Sequence, residues 1–99
     1  MSRIRVTRRA RADLDEIWSY IATNGSAESA NRFIDSLIDR LLLIVASPEM
    51  GRMREELQAG MRSFVIDPYV VYYRQIPSGV VILRVLHGAR DIERLFRGE

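Results

Sequence analysis

Three arginines inside strand-like segments, Arg62, Arg74 and Arg84, and the one histidine that follows them, His87, are the residues whose types can do chemistry. All four fall in the stretch GMRSFVIDPYVVYYRQIPSGVVILRVLHGARD, which begins at Gly60. Strand interiors favour apolar and β-branched residues. An arginine there is either paired or placed to meet an anion. All 15 basic residues of the chain are arginines, an excess that codon bias explains as readily as function does. Guanidinium groups stay protonated, so His87 is the one basic side chain that can readily take up a proton. Cysteine is absent, which removes thiol nucleophiles, disulfides and cysteine metal sites.

These residues need a scaffold, and the periodicity supplies one. Ile4 and Val6 alternate with Arg3, Arg5 and Thr7, as in a short half-buried strand. Thr7 then caps a helix to about Thr23, in which Leu14, Ile17, Trp18 and Ile21 form an apolar stripe. Asn24-Gly25 closes it, with glycine expected in the left-handed conformation. A second helix starts at Ser26 and runs until Ser47-Pro48, and so short a connection makes the pair an antiparallel hairpin. The charged connector from Pro48 to Gly60 is a loop or contains a helical turn. Strands follow at about Met61–Ile66, Val70–Ile76 and Val80–Leu86, and the tail Asp91–Phe96 forms one helical turn or runs irregularly.

The expected architecture is α+β, in the order βααβββ. It is an antiparallel sheet with the N-terminal helical hairpin packed on one face and the other face free for function. A three-residue loop between the last two strands places Tyr72 opposite Arg84, with Arg74 and Arg84 on one face; a two-residue loop pairs Tyr73 with Arg84 and splits them. At 99 residues this is one domain, residues 1–99. Its composition, 47% hydrophobic and 28% charged, is that of an ordinary globular protein. No apolar run reaches the roughly 18–20 residues that a membrane span needs, and no secretory signal is visible. A cytoplasmic location is expected. The net charge of +2 falls short of the dense basic stripe of a nucleic-acid binder and suits an acidic partner.

The layout, with GRMREEL and GMRSF followed by YVVYYR and ILRVLHGARD, resembles the RelE/ParE toxin superfamily of bacterial type II toxin–antitoxin systems over essentially the whole chain. The HGARD ending after a strand arginine is more similar to the ParE branch. That resemblance implies a toxin that poisons DNA gyrase without being an enzyme, needs no cofactor or metal, and is neutralised by a cognate antitoxin. The RelE branch implies instead a ribosome-dependent messenger-RNA endoribonuclease. Cleavage through a 2′-hydroxyl requires a base, a cation for the developing phosphorane charge and an acid for the leaving oxygen. Relatives that cleave RNA fill these roles with lysines or a glutamate, two arginines and a late Tyr or His. Arg62 and Arg84 match the arginines and His87 the acid, but lysines are missing, no tyrosine follows Tyr73, and Glu55 or Glu56 serves as base only if the connector folds back over the sheet.

The functional surface is therefore expected among Arg62, Arg74, Arg84, His87 and Arg90, each arginine being equally open to a structural ion pair. Arg8 and Arg11 are candidates for antitoxin binding. Trp18 belongs to the core, to hairpin packing or to the same antitoxin face. Tyr69, Tyr72 and Tyr73 either stack bases or, as is commoner in strands, pack across the sheet.

Overall fold

Thr7 turns the first strand into the first helix and ties both to the end of the chain. In the computed structural model, which describes residues 3–88 and 92–97, its Oγ1 accepts from the Ala10 amide at 3.1 Å and donates to the Leu83 carbonyl at 3.0 Å. β1 (Arg3–Val6) precedes it and α1 (Arg8–Asn24) follows. α1 ends as expected at Gly25, but with φ −140° and ψ −105° rather than a left-handed conformation. A Cβ at Gly25 would come within 3.2 Å of the Ile21 carbonyl oxygen. Ser26 and Ser29 exchange reciprocal side-chain bonds to each other's amides and start α2 (Ala27–Ala46). The connector holds a 3-10 turn (Pro48–Met50) and a two-residue strand, β2 (Arg52–Met53). β3 (Met61–Ile66), β4 (Tyr69–Ile76), β5 (Gly79–His87) and α3 (Ile92–Arg97) complete the chain. No helix among the described residues is long and apolar enough to cross a membrane.

The sheet runs β1-β5-β4-β3-β2 and is mixed. β2 to β5 are antiparallel neighbours, whereas β1 lies parallel to β5, with Arg3 beside Gly79 and Val6 beside Ile82. The expected all-antiparallel sheet is corrected at this strand. Apolar alternation dictates which face a strand presents and carries no information about its direction.

The two faces of the sheet are both occupied. The helical hairpin covers one with Ala10, Ile17, Leu37, Leu41 and Ile44, packed on Val71, Tyr73, Val80 and Ile82. The opposite face, expected to be free, has a smaller core of Met61, Tyr72 and Leu86. Leu57, Leu83 and the α3 residues Ile92, Leu95 and Phe96 pack against it. Tyr72 is 2% exposed, beneath the Phe96 ring at 5.3 Å and the Arg54 guanidinium at 5.9 Å.

Register along β5 changes partway. Pro77-Ser78 form the turn, Ile76 faces Gly79 and Tyr73 faces Ile82; Tyr72 then faces Arg84, which leaves Leu83 unpaired. A bulge of this kind adds a residue and re-aims the side chains beyond it. The result combines a two-residue turn with the Tyr72–Arg84 pairing expected for the longer loop.

β1 reaches only as far as Ile82, so the outer edge of β5 beyond it needs other partners. α1 supplies them. The Thr7 amide donates to the Ile82 carbonyl at 3.1 Å. The Asp13 carboxylate accepts from the Val85 amide at 2.9 Å and from Arg84 Nε and Nη2 at 2.8 and 2.9 Å. Asp13 is 5% exposed and the Arg84 side chain 14%, so a two-pronged ion pair is sealed between helix and sheet. The hydrogen bond that Arg84 donates to Asp13 is the main cause that raises the Arg84 pKa above its ordinary value, against the opposing effect of burial.

The connector is locked separately. The Tyr73 hydroxyl donates to the Pro48 carbonyl at 2.7 Å and accepts from the Gly51 amide at 2.9 Å. Arg62 Nη1 donates to the carbonyls of Glu49 and Gly51 at 3.1 and 2.8 Å. Gly51 lies so close to the Tyr73 ring that a Cβ would sit 2.8 Å from its Cε1.

Two expected outcomes follow from these contacts. Asp13→Ala strands a buried guanidinium and an amide, and should lower unfolding free energy by about 3–5 kcal/mol in urea denaturation. Exposed Asp15→Ala should stay within about 0.5 kcal/mol. Gly51→Ala should cost about 1–3 kcal/mol by overpacking against Tyr73. A stability loss for Asp13→Ala no larger than that for Asp15→Ala would show that the ion pair is not the seam's anchor.

Candidate functional site

The strand arginines do not converge. Arg62 stands opposite Tyr73, whose ring belongs to the helix-side core, and its guanidinium holds the connector. Arg74 stands opposite Met61, and Arg84 opposite Tyr72, both on the face covered by α3. Arg74 is exposed, and its side chain makes no hydrogen bond or ion pair with the described residues. The guanidinium of Arg84 is committed to Asp13. His87 is exposed at the end of β5, facing Tyr69 across the ladder with the rings edge to face at 5.7 Å. Arg90 lies outside the described residues.

The proposed bases are likewise occupied within the connector. Glu55 accepts from the Gly60 amide at 2.6 Å, and Glu56 pairs with Arg54 Nε at 2.8 Å. That bond is the main cause lowering the Glu56 carboxyl below its ordinary pKa. Neither glutamate joins Arg62, Arg84 or His87 in a single acid–base–cation set. Tyr72 and Tyr73 are buried, and Tyr69 is half-buried against Phe33, so the strand tyrosines pack across the sheet rather than stand open for base stacking. Burial is the leading cause that raises the pKa of all three phenols.

What remains open lies at the start of α1 and on the outer side of the hairpin. Arg8 and Arg11 are exposed on the first turns of α1, and Arg8 and Arg9 line a groove of about 410 Å³ together with Gln58, Arg84 and Phe96. The first turn of α1 has no acidic residue. Arginines there add to the positive end of the helix dipole instead of offsetting it, and the combination favours an anionic partner. Trp18 is 36% exposed, and its Nε1 donates to Asn31 Oδ1 at 2.8 Å. It bridges the hairpin at the surface, which among the alternatives expected for Trp18 is hairpin packing rather than a core position. On α2, Ile38 and Leu42 are 46% and 55% exposed, one residue out of step with the buried Leu37 and Leu41. They form a short apolar row on the outer side of the hairpin.

The structurally important residue that sequence reasoning passed over is Asp13. Its signal was its place on the buried stripe, between Ala10 and Ile17 at helical spacing. An acid on an apolar stripe implies a buried partner.

With this geometry in hand, the likeness to known proteins is specific. The family model for the ParE toxin of the type II toxin–antitoxin system parDE matches residues 4–92. Toxin ParE1 of Caulobacter vibrioides is 39% identical over 87 residues, spanning 88% of this chain and 90% of that protein. Toxin RelE3 of the same organism is 30% identical over 88 residues, spanning 88% and 95%. Among solved structures, a chain of the chromosomal ParDE system from P. aeruginosa superposes with a TM-score of 0.75 at 25% identity, covering 88% of this chain and 96% of that one. The chain belongs to the ParE family of toxins of type II toxin–antitoxin systems.

Proposed function

We propose that this toxin acts in the cytoplasm by binding DNA gyrase rather than by cutting RNA, and that a cognate antitoxin neutralises it by covering its helical hairpin. The observation that carries the first part is the dispersal of the cleavage set: Arg62 and Arg84 lie on opposite faces of the sheet, and both are bound to internal partners. A nuclease needs its base, cation and acid within hydrogen-bond reach of one phosphate. Exposed Arg74 is left to contact an acidic target surface. The likeness to a RelE toxin keeps ribosome-dependent cleavage as the competing reading.

For the antitoxin, the exposed row Ile38–Leu42 and the arginines opening α1 are complementary to a segment with apolar anchors and acidic residues. Such a segment, flexible when free, would lay a helix along the hairpin.

Purified protein is expected to inhibit gyrase supercoiling while leaving messenger RNA on translating ribosomes intact. The reverse pattern would establish the nuclease reading. On induction in cells, Arg74→Ala should relieve growth arrest at unchanged protein level and stability. With the antitoxin encoded beside the toxin, the association rate should fall as salt rises while dissociation changes little, because long-range attraction speeds encounter and buried apolar contacts set residence time. Salt-independent association measured by stopped flow would remove the electrostatic part.

A further inference from the structure

A second groove, of about 590 Å³, opens between α1 and the far end of the sheet, and its chemistry runs against the rest of the molecule. In a chain whose basic residues are all arginines, no described residue lining this groove is an arginine. One wall is α1, presenting Asp13, Glu16 and Tyr20 at helical spacing; the other includes Tyr69 and His87. Asp13 is balanced by Arg84, but Glu16 is exposed and its side chain makes no hydrogen bond or ion pair with the described residues. Tyr20 is 65% exposed, and its phenol is near enough to Tyr69 to help raise that group's pKa, behind the larger effect of burial. The groove therefore carries one carboxylate without an ion-pair partner among the described residues, on the same wall as Tyr20 and in a groove that Tyr69 also lines.

We infer that this groove is a receptor for an arginine side chain of a partner polypeptide, with Glu16 accepting from the guanidinium and the Tyr20 and Tyr69 rings flanking its planar faces. A guanidinium is weakly hydrated, stacks on aromatic rings and offers paired donors to a carboxylate, which matches the three groups present. An ammonium meets the charge but not the planar geometry. A groove of this size admits the side chain together with the backbone that carries it. Charge complementarity also separates this site from the basic groove at the start of α1: the two grooves attract opposite ends of a polar partner. The assignment does not depend on whether the toxin's target is gyrase or the ribosome.

The probe is the peptide acetyl-Gly-Arg-Gly-amide, titrated into the full chain and followed by amide chemical shifts. Its isostere with citrulline in place of arginine keeps the shape and removes the charge. Saturable shifts are expected at Glu16, Tyr20, Tyr69 and Leu86, with the citrulline peptide and the Glu16→Gln variant each weakening binding by about tenfold. Tyr20→Leu should weaken it severalfold, and since both altered residues are exposed, thermal unfolding should be unchanged. Shifts that do not saturate, or that are equal for the two peptides, would overturn the assignment. Concentration-dependent self-association that disappears in Glu16→Gln would support the receptor and identify a second copy as the source of the arginine. Antitoxin binding measured on Glu16→Gln in parallel keeps this test distinct from the neutralisation reading, which stands or falls on the hairpin.

Discussion

Asp13 brings a carboxylate into the seam where α1 crosses the bare edge of β5, and there it satisfies two kinds of donor at once. The Val85 amide has no strand beside it because β1 ends at Val6, and the Arg84 side chain arrives after the bulge at Leu83. A backbone donor left unpaired in such a place costs about 1–3 kcal/mol, and a buried guanidinium without its carboxylate costs more. One aspartate thus substitutes for a missing stretch of strand and neutralises a sheet arginine. Helix, bulge and strand edge are mutually dependent through it.

That dependence changes the meaning of the strand arginines. Arg84 reads from sequence as a functional cation, yet its donors are directed inward. Arg62 is likewise turned to the carbonyls of the connector, which Tyr73 grips from below through the Pro48 carbonyl and the Gly51 amide. Two of the three arginines thus hold the scaffold together, and Arg74 is the one whose charge faces solvent. The surfaces left exposed are the arginine-rich start of α1, the apolar row on α2 and a groove lined by Glu16, Tyr20 and Tyr69.

Much of the scaffold was legible because its signals are local. Helical spacing and the Ser26 cap marked both helices, the Asn24-Gly25 turn marked the hairpin, and β-branched runs bounded by Asp67-Pro68 and Pro77-Ser78 marked the strands to within a residue or two. What escaped was set by tertiary pairing. The direction of β1 depends on which edge it meets, the Leu83 bulge on how β5 must reach Asp13, and the second core on α3 folding back with Phe96 over Tyr72. The Asp13–Arg84 pair spans 71 positions of sequence, so no window of neighbouring residues contains both partners. The readings for Trp18 stayed open because its position on the apolar stripe cannot show that the stripe's edge emerges at the surface beside Asn31.

The most direct measurement of this account is a double-mutant cycle on unfolding free energy with Asp13→Leu, Arg84→Met and both together. If the two side chains form one buried unit, each single change should be strongly destabilising and the double variant should recover much of the loss, with a coupling energy of about 2–3 kcal/mol. Losses that add to within about 0.5 kcal/mol would mean that the two residues act independently, and would contradict the claim that this pair anchors helix to sheet.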